Sequence, residues 1–279
     1  MDRLEFLKRL GALTVGASLI GVDVNAMTTE AEEIPEIASS DKIKTQMPEM
    51  DAKLEKPVTV LVLGAGSRGS TYAQYAEKFP KSMKVVGVAD LNTYRRNRMA
   101  KSHNIPKENQ FGHFNDALSK PKFADAVIIA TPDNLHYEPC MKALALGYDV
   151  LIEKPVAPTE KECRAILKQA HKYNRIVAVC HVLRYAPYYV ALKQVVDSGA
   201  IGDLVNIQHF EPIRYAHMAH SYVRGNWPLA DKTTPIILAK SCHDLDIMMW
   251  LMGNNKPRYV SSFGSNLQFV KENAPIQAQ

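Results

Sequence analysis

Short apolar runs alternate with helical patterns between Pro57 and Cys180. Short apolar runs next to turn residues are typical of strands, and amphipathic helices repeat every three to four residues. The predicted strands are Val58–Leu63, Lys84–Ala89, Asp125–Ala130, Asp149–Ile152 and Ile176–Val179. The predicted helices between them are Ser70–Phe79, Thr93–His103, His136–Leu146 and one capped by Thr159, where Glu162 completes a capping box. This alternation predicts an α/β fold with a doubly wound parallel sheet.

Beyond Cys180 the pattern changes. A helix is predicted over Tyr188–Asp197, and a longer helical pattern covers Pro235–Met252. Asp203–Phe210 and Tyr259–Phe269 alternate apolar with polar residues, as strands with one solvated face do. We therefore predict a second α/β domain with an open, mostly antiparallel sheet. The chain ends soon after the last of these strands, so this domain is expected to be incomplete.

The N-terminus has the pattern of an export signal. Basic residues near the start precede an apolar, small-residue run over Gly11–Val22, and Val24–Ala26 offers a small-residue cleavage site. The start is similar to the twin-arginine export motif, but Leu4 stands where the second arginine belongs. We predict a signal peptide over residues 1–26, a polar linker over 27–56 and a periplasmic location. The alternative is an attached amphipathic helix on a cytoplasmic protein.

Composition narrows the classes of function. The 279 residues carry a formal net charge of +5, and the basic side chains are scattered among acidic ones, which does not support a nucleic-acid role. The N-terminal apolar run is shorter than the roughly 20 residues of a membrane span, so no stable span is expected. The 4 cysteines lack CxxC spacing, which indicates free thiols and no metal site.

The first predicted strand leads directly into a glycine-rich turn with the fingerprint of a dinucleotide site. In such a turn Gly64 permits the tight bend, and Gly66 lets the backbone approach a diphosphate. Gly69 lets the following helix pack close to its strand. The diphosphate then lies against free N–H groups at the start of that helix. The sequence therefore predicts a dinucleotide-binding Rossmann domain.

An acidic residue, Asp90, ends the second predicted strand. Its position fits a carboxylate that binds the hydroxyls of the adenine ribose, a role that favours NAD. A turn or helix-capping aspartate is the alternative. Arg95 and Arg96 follow closely and would accept a 2′-phosphate, so NAD is the predicted cofactor and NADP stays open.

Several spaced motifs arrive in the order found in one protein family. They are Gly64–Gly69, Thr131–Asp133 with His136, Glu153–Pro155, His181 with Arg184 and Tyr185, Gly199–Gly202, and His243–Asp244 with Asp246. With these motifs the chain resembles the Gfo/Idh/MocA oxidoreductases over about residues 57–253. The resemblance implies a Rossmann domain, here residues 57–180, and a C-terminal substrate domain, here residues 181–279, whose sheet covers the nicotinamide. It also implies a homo-oligomer when the second domain is complete.

The resemblance assigns candidate residues to catalysis and to the cofactor. Lys154 is expected beside the substrate, where its ammonium would polarise the reacting oxygen, and the Lys154–Pro155 bond is expected to be cis. His243 matches the position of the general base, whose proton exchanges near neutral pH. The alternative for Lys154 is a surface lysine that follows a turn. The alternative for His243 is a histidine that packs in the core or caps a helix. The predicted cofactor set is Gly64, Gly66, Ser67, Arg68, Gly69, Asp90, Arg95, Thr131, Pro132, His136, Glu153 and Lys154.

One position departs from the inositol dehydrogenase pattern of the family. That pattern has an aspartate four residues before the histidine, whereas this chain has Ala239 there, followed by Lys240. Either Lys240 takes over an electrostatic role in catalysis, or the reaction differs from simple alcohol oxidation.

A polar and aromatic segment over residues 215–227 is the candidate carbohydrate pocket. Aromatic faces and hydrogen-bonding side chains are the groups that suit a sugar or polyol. An exposed loop that packs on another part of the protein is the alternative. The predicted substrate set is Lys154, His181, Arg184, Tyr185, His220, Arg224, Trp227 and His243.

Together these features predict an exported, NAD(P)-dependent oxidoreductase that moves a hydride between nicotinamide and a sugar or cyclitol. Two other functions stay open from the sequence. One is a glycoside hydrolase that uses NAD for transient oxidation, elimination and re-reduction. The other is a non-catalytic member that only binds dinucleotide.

Overall fold

The computed structural model describes residues 56–229, 232–253, 255–265 and 267–274. The predicted signal peptide and nearly all of the predicted linker lie outside these residues. Tyr185–Asn206 forms one compact unit, and the described residues of Pro48–Arg184 and Ile207–Gln279 form a larger one. The predicted division into functional domains at residue 180 stays a prediction.

Six parallel strands form the central sheet of the larger unit. They are β1 (Val58–Leu63), β2 (Met83–Ala89), β3 (Gln110–Phe111), β4 (Ala126–Ile129), β5 (Asp149–Ile152) and β6 (Val177–Val179). The order across the sheet is β3-β2-β1-β4-β5-β6, the doubly wound order of a Rossmann fold. Because β1 pairs with both β2 and β4, the strand order reverses at β1, where such folds bind their ligands.

The remaining elements are short helices. The α-helices are α1 (Ser67–Lys78), α2 (Thr93–Ser102), α3 (Phe114–Leu118), α4 (Tyr137–Ala145), α5 (Glu160–Tyr173), α6 (Pro187–Asp197), α7 (Tyr215–Met218), α8 (Ile236–Ala239) and α9 (Cys242–Leu251). Single turns of 3₁₀ or π helix cover Lys107–Asn109, Asp133–Leu135, Val182–Tyr185, Ala219–Val223 and Lys271–Asn273. Among the described residues, every helix is too short or too polar to cross a bilayer.

Two hydrophobic cores lie on opposite faces of the sheet. One core contains Leu61 and Leu63 of β1 together with residues of α3, α4 and α5. The other contains Val60 and Val62 of β1 together with residues of α1 and α2. Successive side chains of a strand point to opposite faces, so β1 supports both cores. Burial on both faces explains why the strands read as continuous apolar runs.

Local patterns predicted most of this sheet. The predicted bounds of β1 and β5 match those of the structure, and Thr159 and Glu162 form the predicted reciprocal capping box before α5. Helix α1 begins three residues before the predicted Ser70, because the glycine turn itself provides its N-cap at Gly66. The strand β3 and the helix α3 were not predicted, since two and five residues are too few for a periodic pattern.

The predicted antiparallel sheet is not formed by the described residues. Asp203–Phe210 and the described part of Tyr259–Phe269 pair with no strand. Their apolar side chains are exposed, including Val205, Phe210, Tyr259, Val260, Phe263 and Leu267. Alternation predicts a segment with two faces, but a strand also needs a hydrogen-bonding partner. The predicted helix over Pro235–Met252 is divided into α8 and α9.

The smaller unit, Tyr185–Asn206, contains α6. The helix begins at Pro187, where a residue without an N–H group costs no hydrogen bond. It ends before Gly199, which takes a φ of +71° as predicted for a helix stop.

Replacing Gly69 tests the packing of α1. A Cβ atom there would lie 1.9 Å from the Gly64 carbonyl oxygen, so Gly69→Ala is expected to lower the free energy of unfolding by at least about 2 kcal/mol. Gly112→Ala is the matched control, because its Cβ would meet no atom within 4 Å. Urea denaturation followed by circular dichroism measures both variants. Equal stability of the two would contradict the close contact.

Candidate functional site

A cavity of about 800 Å³ opens at the carboxyl edge of the sheet, a volume typical of small-molecule and cofactor sites. Residues that follow β1, β2, β4 and β5 line it, so the cavity lies where the strand order reverses. The predicted site residues that line it are Gly64, Gly66, Ser67, Arg68, Asp90, Arg95, Thr131, Pro132, Glu153, Lys154, Trp227 and His243. One cavity therefore brings together most of the predicted cofactor set and both principal catalytic candidates.

The glycine turn leaves room for an anion at the start of α1. Gly64 takes a φ of +91°, and a Cβ atom there would lie 2.5 Å from the Ala130 carbonyl oxygen. At Gly66 a Cβ atom would meet only the Arg95 guanidinium, at 3.9 Å, so the backbone is open to the cavity. No side chain caps the first turn of α1, which leaves its N–H groups available to a ligand. This geometry fits the diphosphate of a dinucleotide.

Asp90 lies in the cavity at the end of β2 and is buried. Its Oδ2 accepts a hydrogen bond from the Ala65 N–H at 2.7 Å, and its Oδ1 accepts from the Asn92 N–H at 2.7 Å and from Arg95 at 3.3 Å. A carboxylate has about four acceptor positions, so one stays available for a ribose hydroxyl. Asp90 thus also acts as the turn aspartate that the sequence left as an alternative.

Glu153 is a buried carboxylate that accepts three hydrogen bonds. Its Oε1 accepts from Arg68 Nε at 2.5 Å and from the Tyr72 hydroxyl at 2.5 Å, and its Oε2 accepts from the Lys154 N–H at 3.0 Å. Burial alone would raise the pKa of Glu153, but the bonds from Arg68 and Tyr72 outweigh it and the pKa is lowered. Glu153 is therefore an ionised anchor that holds α1 against the end of β5.

Lys154 lies beside Glu153 and precedes a cis peptide bond to Pro155, as predicted. Its Nζ donates a hydrogen bond to the backbone carbonyl oxygen of Ala239. Ala239 occupies the position where the inositol dehydrogenase pattern has an aspartate. In this chain the backbone, and not a carboxylate, accepts from the lysine.

His243 lines the same cavity from the first turn of α9. Its Nδ1 is buried and has no hydrogen-bond partner among the described residues. The pKa of His243 is lowered by burial first, and then by the positive charges of Lys154 and His181. The ring is therefore held in its neutral form, which is able to accept a proton.

An ion-pair network lies next to His243. The His181 and His243 rings meet edge to face with centroids 6.2 Å apart, and His181 Nδ1 lies 2.9 Å from Asp246 Oδ1. Arg184 donates to both oxygens of Asp246, at 2.6 and 2.7 Å. The two hydrogen bonds from Arg184 fix the orientation of the Asp246 carboxylate. This carboxylate in turn holds the His181 ring in place.

The aromatic segment reaches the cavity through Asn226 and Trp227. Trp227 Nε1 donates to Asp133 Oδ2 at 2.8 Å, and the Thr234 hydroxyl donates to the same oxygen. Asp133 is buried just beyond β4. A single carboxylate therefore fixes the indole as a wall of the cavity.

The Rossmann part of the chain has a recognised family. Residues 58–181 match the Gfo/Idh/MocA model, described as an oxidoreductase family with an NAD-binding Rossmann fold. The chain belongs to the Gfo/Idh/MocA oxidoreductase family. The match covers the glycine turn, Asp90 and Lys154. The Rossmann part of this chain is therefore the NAD-binding fold that the family description names.

Curated relatives of the family extend the similarity beyond this region. An inositol 2-dehydrogenase of Ralstonia nicotianae is 30% identical over 205 residues, which is 72% of this chain and 55% of the relative. An inositol 2-dehydrogenase of Pseudomonas savastanoi pv. phaseolicola is 31% identical over 202 residues, with the same coverage. The chain thus spans just over half the length of these relatives.

Solved structures support the fold. A scyllo-inositol dehydrogenase from Lactobacillus casei with bound NAD(H) and scyllo-inositol aligns with a TM-score of 0.60 at 23% identity. The alignment covers 71% of this chain and 57% of that one. The predicted family and the predicted Rossmann sheet are both confirmed.

Several predicted residues lie elsewhere. Lys240 is not among the cavity residues, because its Nζ forms an ion pair with Glu211 Oε1 at 2.8 Å. His136 is buried behind the cavity, with its ring nitrogens 2.8 and 2.9 Å from the carbonyl oxygens of Pro155 and Thr131. Gly69 is not among the cavity residues either, and a Cβ atom there would lie 1.9 Å from the Gly64 carbonyl oxygen, so it lies in the packing of α1. The positive charge of Lys240 still helps to lower the pKa of His243. The functional roles of these three residues stay predictions.

The predicted substrate residues are only partly gathered. His220 and Arg224 are exposed and are not among the residues that line the cavity. His181 contacts the His243 ring and Arg184 pairs with Asp246, whereas Tyr185 begins the other unit and its role stays a prediction.

Sequence reasoning missed the contributions of Cys180 and Tyr72. Cys180 lines the cavity, as does Asn226 of the predicted pocket segment, and Tyr72 binds Glu153. Tyr72 lies one helical turn after Arg68, a spacing that places both on one face of α1 and could have indicated a shared partner. Burial raises the pKa of the Cys180 thiol to about 11, so this cysteine is protonated and not a nucleophile.

The anchoring of Trp227 by Asp133 is testable by fluorescence. Asp133→Ala leaves the indole N–H and the Thr234 hydroxyl without their acceptor, with an expected cost of about 1–3 kcal/mol in unfolding free energy. In a Trp250→Phe background, where Trp227 is the sole tryptophan, the emission should also shift to the red. Asn134→Ala is the control, because the hydrogen bond that Asn134 donates within the described part of the chain is a long one of 3.5 Å, to the Lys232 carbonyl oxygen. Identical spectra for both variants would refute the anchor.

Proposed function

We propose that this protein is an NAD-dependent oxidoreductase that moves a hydride between nicotinamide and a hydroxyl-bearing carbon of a sugar or cyclitol. The observation that carries the proposal is the presence of Lys154 and His243 in one cavity with the open glycine turn. The curated relatives described above are inositol dehydrogenases, which supports a cyclitol or a similar polyol as substrate.

The dinucleotide would be held by groups that the fold already presents. The N–H groups of the first turn of α1 bind the diphosphate, and the remaining acceptor position of Asp90 takes a ribose hydroxyl. Its negative charge favours NAD over NADP, because it repels a 2′-phosphate. Arg95 is bound to Asp90 only at 3.3 Å and is half-exposed, so it can turn towards a phosphate and permit weaker use of NADP.

Lys154 and His243 would share the chemistry at the substrate. Nicotinamide, when bound, accepts or supplies the hydride at its C4. The Lys154 ammonium polarises the substrate oxygen, and the neutral His243 ring accepts the hydroxyl proton as the carbonyl forms. The Ala239 carbonyl orients the ammonium without cancelling its charge, so Lys240 is not needed for this role.

We also propose export and self-association as the setting of this activity. The N-terminal basic and apolar pattern supports a periplasmic protein. In the larger unit, the exposed apolar side chains of Tyr259, Val260, Phe263 and Leu267 support self-association, since a homo-oligomer would cover them.

Substitution of the two catalytic candidates tests the function. Lys154→Met and His243→Gln are each expected to lower kcat/KM for polyol oxidation by roughly 10²- to 10⁴-fold, because each removes a group that assists proton or charge transfer. NADH formation against a panel of cyclitols and sugars measures the rate, and calorimetry with NAD checks that cofactor binding persists. Lys142→Met, an exposed lysine paired with Glu138, is the control.

Full activity of Lys154→Met would exclude the proposed role of the lysine. Release of aryl alcohol from aryl glycosides without net NADH would instead identify the hydrolytic alternative.

The pH dependence of oxidation tests the state of His243. The ring must be neutral to accept a proton, and burial with Lys154 and His181 lowers its pKa below the ordinary 6.5. The neutral form therefore persists to lower pH, and kcat/KM should fall only below the ordinary histidine range. Lys154→Met removes a positive charge, so the acid limb of its residual activity should move to higher pH. An acid limb centred above 6.5 in the wild type would contradict this assignment.

A further inference from the structure

A second cluster of metal-binding side chains lies outside the cavity. His209 and Glu211 stand two residues apart on an extended segment, and Asp244 lies in the first turn of α9. One ligand atom from each residue lies within 4.8 Å of the others. None of the three lines the cavity, so the cluster is separate from the proposed catalytic site.

Asp244 contributes to this cluster a carboxylate with one unsatisfied oxygen. The residue is only 6% exposed, and its Oδ1 lies 2.7 Å from His209 Nε2. Its Oδ2 is buried and has no hydrogen-bond partner among the described residues. A buried carboxylate oxygen without a donor is costly, so the folded chain offers an acceptor that still needs a positive partner.

Ion pairing within the protein explains only part of this arrangement. The Lys240 ammonium lies 2.8 Å from Glu211 Oε1, and His209 pairs with Asp244. The side chains of Lys240 and Glu211 are 26% and 35% exposed, so their ion pair stays partly open to solvent. Neither pair provides a donor for Asp244 Oδ2.

We propose that His209, Glu211 and Asp244 bind one divalent transition-metal cation. An imidazole nitrogen with two carboxylates is a donor set that suits zinc or manganese. Ligands about 2.1 Å from a common zinc ion lie at most about 4.2 Å apart, so side chains now within 4.8 Å of each other need only small rotations. The cation would give Asp244 Oδ2 the partner that it lacks.

The cation would connect the segment around His209 to the start of α9. Asp244 directly follows His243, so the metal would fix the helix turn that presents this imidazole to the cavity. Binding of the metal does not depend on the proposed oxidoreductase activity. The two proposals can therefore fail separately.

Metal binding to the chelator-treated 279-residue chain tests the site directly. Titration calorimetry with zinc chloride and with manganese chloride, each alone, is expected to show one equivalent bound by at least one of them, with a rise in Tm. Asp244→Asn and Glu211→Gln should each weaken binding by at least tenfold. His171→Ala, which removes an exposed histidine of α5, is the control and should bind as the wild type does. Circular dichroism checks that each variant is folded.

The Lys240→Met variant distinguishes a metal site from two salt bridges. If Glu211 is a metal ligand, removal of the competing Lys240 ammonium should increase the affinity for the metal several-fold. If Glu211 only pairs with Lys240, the variant should show no gain in metal affinity and a lower free energy of unfolding. The proposal is overturned if neither the wild type nor Lys240→Met binds one equivalent of either metal, or if Asp244→Asn binds as tightly as the wild type.

Discussion

The close packing of α1 against the turn after β1 is the constraint on which the rest of the site depends. Only a residue without a Cβ atom fits at Gly69, because a Cβ atom there would lie 1.9 Å from the Gly64 carbonyl oxygen. Only a residue tolerant of positive φ fits at Gly64. These two glycines bring the start of the helix to the carboxyl edge of the sheet. Because β1 lies between β2 and β4, the free N–H groups of α1 then face the crevice at the carboxyl edge of the sheet. Asp90, which follows β2, and Lys154, which follows β5, line the same crevice.

The two charged groups next to each other in the cavity have different partners. Arg68 and Tyr72 donate to the Glu153 carboxylate. Lys154 donates to a neutral carbonyl oxygen, which does not cancel its charge. The positive charge of Lys154 helps to lower the pKa of His243, whereas the negative charge of Glu153 acts in the opposite direction and is outweighed. A polarising cation and a neutral base can therefore coexist in one cavity, which alcohol oxidation requires.

Local sequence signals predicted the sheet well and the region after it poorly. A glycine turn, a capping box and a continuous apolar run each act within a few residues, so β1, β5 and the start of α5 could be placed from the sequence. Whether residues 259–269 form a strand depends on a partner elsewhere, which alternation does not encode. The same limit applies to Trp227, whose acceptor Asp133 is 94 positions away. Residue types indicated a polar pocket there, but only the fold shows which side chains reach it.

The position of Ala239 shows how a lost side chain can be replaced by backbone. From the sequence, Lys240 was the nearest charged residue and hence a candidate substitute for the missing aspartate. In the structure the Lys240 side chain extends to Glu211, whereas the Ala239 carbonyl receives the Lys154 ammonium. The interruption between α8 and α9 leaves this carbonyl without its continued helical partner, and so leaves an acceptor available to Lys154. The break in the helix, which no periodicity predicts, therefore supplies the hydrogen bond that the side chain does not.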